Sequence, residues 1–264
     1  MTGGAAAAEG IHPAARVGFG QAADAYERGR PDYPAHAVAW LVDELGIRPG
    51  VRVLDLAAGT GKLTRSLIPF GAWIVAAEPV EGMRRLFRSV IPAVPLVGGR
   101  AEAIPFADAS LGAAVVGQAF HWFDAPAAIR ELHRVIEPEG RLGLVWNVRD
   151  EEHSAFWERI TELMAPYRGD APTHRGYVWR RAFEASDLFT PFRAGSFPYR
   201  QELTRTQVLD RVLSTSFIAA LPDDERQQVA QGVLKLLDSD ERTAGLERVS
   251  LPYRTDAYSC EPRR

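Results

Sequence analysis

The stretch LDLAAGTGKLT, residues 54–64, has the pattern of a short apolar strand that ends in small residues just before a helix begins. Glycine in such a turn lets the backbone approach a ligand closely, and the first turn of the following helix presents unpaired N–H groups. Strand–turn–helix segments of this kind usually hold a nucleotide-like molecule. The pattern therefore predicts an α/β fold with a ligand site at the end of this strand.

The chain on both sides of this turn alternates between helical and extended patterns. Predicted helices cover residues 34–46, 61–70, 80–90 and 125–136, and predicted strands cover 51–56, 73–77, 94–97, 112–117 and 141–146. The strands are almost wholly apolar, which is typical of a parallel sheet with helices on both faces. The pattern changes after Asn147, where predicted helices (151–166, 175–186, 205–217 and 223–237) surround two late strands (192–201 and 248–260).

These segments predict a Rossmann-like, doubly wound α/β fold with a mostly parallel seven-stranded sheet and an inserted helical cap. We expect three regions. Residues 1–17 form a flexible tail without the basic leader of a signal peptide. Residues 18–150 form the ligand-binding α/β core with an N-terminal helical lid, and residues 151–264 supply the late strands and a helical cap over the substrate.

The composition narrows the class of partner. The chain has 264 residues, with 31 basic and 34 acidic side chains and a net charge of −3, so we expect no nucleic-acid partner. No apolar run approaches the roughly 20 residues that span a membrane. A single cysteine, Cys260, excludes an internal disulfide framework and any multi-cysteine metal site, which fits a cytoplasmic protein.

Two ligand classes fit the turn poorly. A P-loop requires glycine five positions before Gly61 and a hydroxyl residue after the lysine, but Leu56 and Leu63 occupy those positions. A dinucleotide turn has its third glycine where Thr64 stands, and the carboxylate of Asp55 would repel a pyrophosphate. A ligand without phosphate remains.

The segment Asp55-x-x-x-Gly59-x-Gly61 resembles the first motif of class I S-adenosylmethionine-dependent methyltransferases. Further matches follow in order: an acid at the end of the second strand (Glu78), the segment GRAEAIPF (99–106), the segment QAFHWF (118–123) and the turn before the fifth strand (131–140). The resemblance is to the type 11 methyltransferase domain family. Within it, three segments look like the trans-aconitate methyltransferase-like branch: Tyr26-x-x-x-Arg30-Pro-x-Tyr-Pro, HWFD (121–124) and LPYRTDAY (251–258).

The resemblance implies roles for named residues. S-adenosylmethionine would be bound, and S-adenosylhomocysteine released as product. Glu78 would accept the ribose hydroxyls, Met83 would lie against adenine, and the Ala101 backbone and Glu102 carboxylate would meet the adenine edge. The cofactor-binding set comprises Tyr26, Arg30, Asp55, Ala57, Gly59, Gly61, Glu78, Met83, Ala101, Glu102 and Gln118. Asp55 would attract the cofactor's ammonium group, and Ala57, which replaces a family glycine, is expected to adopt ordinary backbone angles.

The predicted catalytic candidate is His121, which follows the fourth strand, where ligands bind in α/β folds. Histidine titrates near neutral pH and can act as a general base. The alternative is that His121, Trp122 and Phe123 form an aromatic wall beside the sulfonium. Arginines on the added helices and last strand are candidates for binding an anionic acceptor: Arg175, Arg180, Arg181 and Arg254.

The function predicted from these residues is methyl transfer to a small molecule, first of all at an oxygen of a carboxylate or a hydroxyl group. Two alternatives stay open. The protein could bind the cofactor without transferring methyl, as a cyclase-like or ligand-binding member, or it could be a nicotinamide-dependent oxidoreductase. No metal is predicted.

Overall fold

A computed structural model describes residues 23–173 and 178–264, so the predicted tail lies outside the described residues. The seven-stranded α/β fold is confirmed. The sheet order is β3-β2-β1-β4-β5-β7-β6, in which β1 to β5 are parallel and β7 runs antiparallel to both of its neighbours. The strands are β1 (Arg52–Leu56), β2 (Trp73–Ala77), β3 (Leu96–Val97), β4 (Leu111–Gly117), β5 (Ile136–Arg149), β6 (Arg193–Thr204) and β7 (Arg248–Cys260).

Helices cover both faces of the sheet and build the added cap. In chain order they are α1 (Ala23–Gly29), α2 (Ala35–Leu45), α3 (Lys62–Leu67), α4 (Glu81–Val90), α5 (Ala125–Val135), α6 (Ala155–Met164), α7 (Val178–Glu184), α8 (Arg205–Leu213), α9 (Ser216–Ala219) and α10 (Asp223–Ser239). Local sequence explains several ends. Gly46 closes α2 at φ 60°, the side chain of Asp124 caps α5, and Thr204 and Gln207 form a capping box on α8. No helix in the two described ranges is long and apolar enough to cross a bilayer.

Apolar burial accounts for the layered arrangement. One face of the sheet packs against α5 and α7, and the other face packs against α2 and α3. The cap has its own core, in which Trp157, Val212 and Val233 pack beside Tyr253 of β7. The two late strands therefore serve as sheet edge and as floor of the cap.

Several predicted elements have other bounds in the structure, for example the strand predicted at 94–97, of which only Leu96–Val97 is extended. Two further differences concern β5 and α8. The strand predicted at 141–146 extends from Ile136 to Arg149, because residues 137–140 form a bulge against β4 and because the far end pairs with β7. The helix predicted at 205–217 is broken at Ser214, whose φ and ψ of −81° and 0° leave the helical range. The break separates α8 from α9 and turns the chain beside the site.

Candidate active site

The glycine turn after β1 is a run of left-handed backbone conformations. Ala57, Gly59 and Gly61 have φ values of 57°, 59° and 85°. A Cβ at Gly61 would collide with Phe87 of α4, whereas one at Gly59 would meet nothing within 4 Å. The expectation of ordinary angles at Ala57 is therefore wrong, because the turn keeps the family's glycine geometry and imposes it on alanine. Left-handed φ costs a non-glycine residue about 1 kcal/mol.

Asp55 lies buried under this turn, with 1% of its surface exposed. Its Oδ2 accepts a hydrogen bond of 2.5 Å from the hydroxyl of Thr64, whereas its Oδ1 is buried without a partner among the described residues. Burial raises the pKa of Asp55 to about 7, and the nearby Glu78 adds to the increase. One carboxylate oxygen is thus left to accept a donor from a ligand.

Glu78 ends β2 beside the turn and is 4% exposed. Its Oε2 accepts from the Gly59 amide at 2.9 Å and its Oε1 from the Val80 amide at 2.8 Å. Burial raises the pKa of Glu78 to about 7, although both amide hydrogen bonds oppose the shift. Each oxygen retains a second lone pair, so the carboxylate can accept two further hydrogen bonds from a diol.

A cavity of about 710 Å³, including space open to solvent, lies over the ends of β1, β2 and β4; we call it cavity A. It is within the usual size range of small-molecule sites and is mostly apolar. Eight of the predicted cofactor residues line it: Tyr26, Ala57, Gly59, Glu78, Met83, Ala101, Glu102 and Gln118. The lining also includes Pro79, Val80, Trp122 and Phe123, so apolar side chains surround the carboxylate of Glu78.

Glu102 already has protein partners in cavity A. One of its oxygens accepts from the Asp124 amide at 3.0 Å, and the other lies 3.3 Å from Nε of Arg100. These contacts tie the loop after β3 to Asp124, the N-cap residue of α5. Met83 is 3% exposed and contributes an apolar wall.

A second cavity, cavity B, lies on the other side of the glycine turn and contains Arg30, Asp55 and Lys62. The guanidinium of Arg30 stacks over the ring of Tyr26 at 4.8 Å and donates to the Ser214 carbonyl at 3.2 Å. Gly61 lines none of the cavities described here and acts instead as the N-cap of α3. Asp55 and Arg30, both predicted to bind the cofactor, thus line the same cavity.

Helix α1, which is the predicted N-terminal lid, is joined to α8 of the predicted cap. Arg28 forms hydrogen bonds of 2.8 and 3.2 Å with Asp210 on α8, and a Cβ at Gly29 would collide with the backbone of Arg211. The segment after the lid is held by Asn147 of β5, which donates to the carbonyls of Pro31 and Asp32 at 3.3 Å each. The predicted lid and the predicted cap, which lie in different regions of the sequence, thus contact each other and together form what we call the roof.

A third cavity, cavity C, lies under that roof and contains His121, Trp122, Arg149, Arg168, Arg211, Thr215 and Phe217. Nδ1 of His121 accepts a hydrogen bond of 3.3 Å from the indole N–H of Trp146. A neutral ring in this arrangement carries its proton on Nε2 and is a donor there. Its role as a general base stays a prediction.

Tyr26 and Gln118 line cavities A, B and C alike. Gln118 reaches this point because β4 ends in a strained turn, with φ 61°, and its amide donates to the Asn147 carbonyl at 3.3 Å. The three cavities therefore meet between these two side chains.

The arginines that line cavity C are not those expected from the sequence. Arg180 pairs with Glu184, Arg254 pairs with Asp256, and Arg175 lies outside the described residues. Cavity C is lined instead by Arg30, Arg149, Arg168 and Arg211. Arg211 had a detectable signal, because it stands between Val208 and Val212 on the apolar face of α8, where a charge is unexpected.

Comparison with known proteins assigns the family. The model of a methyltransferase domain family matches residues 54–144. An uncharacterized methyltransferase of Mycobacterium bovis is 38% identical over 239 residues, covering 90% of this chain and 93% of the relative. The chain belongs to the methyltransferase family.

Solved structures agree with the fold of this methyltransferase. The YcgJ protein of Bacillus subtilis matches with a TM-score of 0.57 and 20% identity, over 88% of the methyltransferase and 100% of that chain. A phosphoethanolamine N-methyltransferase of Haemonchus contortus, solved with S-adenosylhomocysteine, matches with a TM-score of 0.53 and 13% identity, over 92% and 57%. At these identities the likeness concerns the class I fold alone, and the resemblance to the trans-aconitate branch stays a prediction.

Proposed function

We propose that this methyltransferase transfers the methyl group of S-adenosylmethionine to an oxygen of a small molecule, at a carboxylate or a hydroxyl group. The observation that carries the proposal is the meeting of cavities A, B and C at Tyr26 and Gln118. A nucleoside, an amino-acid moiety and an acceptor require three connected spaces with one common point. The cytoplasm is the proposed location, which fits a single, buried cysteine.

The residues of cavities A and B fit the cofactor. Glu78 can accept two ribose hydroxyls, and the free Oδ1 of Asp55 can accept from an ammonium group. Arg30 offers a guanidinium to a carboxylate in the same cavity. Met83, Val80 and Phe123 supply apolar surface for a purine. The open space above Gly59 admits a ligand to the backbone.

The cofactor, when bound, supplies an electrophilic methyl group on a positively charged sulfur. The oxygen–carbon bond forms as the carbon–sulfur bond breaks, and the electron pair of that bond stays on sulfur. A carboxylate acceptor has no proton to lose, whereas a hydroxyl acceptor must release one. Tyr26 and Gln118 would hold the acceptor in line and the roof would exclude water, and such orientation can lower a barrier by several kcal/mol.

Two measurements test the proposal. Calorimetry should show binding of S-adenosylhomocysteine in the micromolar range, and a labelled-methyl screen over small acids and phenols should yield product heavier by one methylene. A protein that binds neither S-adenosylmethionine nor S-adenosylhomocysteine would exclude the proposal. Cofactor binding with an isomeric, unmethylated product would instead support the cyclase-like alternative.

A further inference from the structure

Arg211 is a buried cation that has no counter-ion among the described residues. Its side chain is 6% exposed, on the face of α8 that also buries Val208 and Val212. Its Nε is buried without a hydrogen-bond partner, and no described carboxylate lies within ion-pair distance of it. Arginine cannot lose its proton at physiological pH, and an isolated buried charge is costly. A guanidinium in this state is a strong indication of an anionic ligand.

A second guanidinium, that of Arg30, adds to the uncompensated positive charge. Nε of Arg30 is also buried and has no partner in the described ranges, where the side chain's one hydrogen bond is to a neutral carbonyl, that of Ser214. Burial lowers the pKa of Arg30 to about 10, and repulsion by Arg211 adds to the decrease. The two cations lie close enough to repel each other, and neither forms an ion pair with a described carboxylate.

The lining of cavity C continues this pattern. Among the described residues that line it are four arginines and no aspartate or glutamate. Arg168 has no ion-pair partner among the described residues, whereas Arg149 lies 3.7 Å from Glu151. The hydroxyl of Thr215, also in this lining, is buried and has no hydrogen-bond partner in the part of the chain that the structure describes. Because the chain as a whole has a net charge of −3, this concentration of arginines is a local feature of cavity C.

A single carboxylate of the cofactor does not neutralise three guanidiniums that have no ion-pair partner among the described residues, those of Arg30, Arg168 and Arg211. Arg30 lines cavity B, where the cofactor's amino-acid group would bind, and Arg168 lines only cavity C. Arg211 reaches both. We infer that the methyl acceptor is a small anion, carrying a carboxylate or phosphate group, and that Arg211 and Arg168 bind this group while Arg30 serves the cofactor. The inference rests on the proposed function for the word acceptor, but anion binding can be measured without turnover.

The test is calorimetric titration of the full chain with citrate, succinate and inorganic phosphate, each with and without saturating S-adenosylhomocysteine. Succinamide is the neutral control. At least one anion should bind in the presence of S-adenosylhomocysteine and succinamide should not. Arg211→Gln should weaken that anion by about tenfold or more, since it removes charge-assisted hydrogen bonds. Arg211→Lys should recover part of the affinity, and the exposed Arg242→Gln should change nothing.

Arg168→Gln provides a second variant at a partly exposed position, where the fold is not at stake, and should weaken the same anion severalfold. The inference is overturned if no anion binds beside S-adenosylhomocysteine, or if Arg211→Gln weakens S-adenosylhomocysteine and leaves the anion unaffected. A failure of S-adenosylhomocysteine to bind would remove the proposed function instead. Anion binding that still depends on Arg211 would then stand as a separate result.

Discussion

Binding of S-adenosylhomocysteine should strengthen as the pH rises, because two buried carboxyls beside the glycine turn act as acceptors only when ionised. Burial raises the pKa of Asp55 to about 7 and that of Glu78 to about 7. A carboxyl in the unfolded chain has a pKa of about 4. Below neutral pH the ligand-free protein therefore holds protons that the ligand must displace.

The size of the effect follows from these pKa values. A carboxyl with a pKa of about 7 is about one-tenth ionised at about pH 6 and about nine-tenths ionised at about pH 8. The dissociation constant should fall about tenfold over this range if one of the two must ionise, and more if both must. The stability of the ligand-free protein should change in the opposite sense. The contribution of these two carboxyls to its free energy of unfolding should decrease from about pH 4 to about pH 7, since both hold more protons in the folded state than in the unfolded chain.

Calorimetry across this pH range, in two buffers with different ionisation enthalpies, measures both the affinity and the protons released. Adenosine, which lacks the amino-acid group, should report on Glu78 alone. Asp55→Asn should reduce the pH dependence for S-adenosylhomocysteine and leave that for adenosine unchanged. Asp224→Asn, at an exposed position on α10, is the matched control. A wild-type affinity that stays within about twofold over the range would refute the argument.

Four substitutions test the turn, the roof and the histidine. Gly61→Ala should lower the melting temperature by about 4 °C or more, because the strain of a positive φ and a collision with α4 add to each other. The control Gly50→Ala, at φ 90° in open space, measures the effect of backbone strain alone. Equal losses of melting temperature in the two variants would contradict the packing argument. Ala57→Gly should raise the free energy of unfolding by about 0.5–1 kcal/mol in urea titration, and a decrease would show that its φ is not a source of strain. Gly29→Ala should displace the lid from α8 and weaken S-adenosylhomocysteine severalfold in calorimetry; unchanged affinity would separate the lid from the site. His121→Asn should lower kcat by less than about tenfold, because Nδ1 already accepts a hydrogen bond from Trp146 and a carboxylate acceptor needs no base. A loss of about a hundredfold or more, with the loss of one limb of the pH–rate profile, would instead identify His121 as a general base.

The secondary structure of the α/β core and several residues that line cavity A could be predicted from local sequence. Trp73–Ala77 forms a strand with the predicted bounds, because Ile74, Ala76 and Ala77 are buried in the sheet, although Trp73 at its start is exposed. Glu78, Gly59 and Met83 were located from motif order and do line one cavity. Ala57 could not be judged in this way, since its left-handed φ is imposed by the neighbouring turn rather than by its own preference.

The sequence by itself determined the fold class and the edge of the sheet where the site lies, because hydrophobic periodicity and turn residues act over short distances. Tertiary structure alone decided the rest of the site. Arg211 is more than 180 residues away from Arg30, and only the packing of α1 on α8 brings both guanidiniums to one cavity. Asn147 likewise holds the segment after the lid across more than 100 residues. Contacts between such distant positions depend on how the elements pack, and no local pattern encodes them.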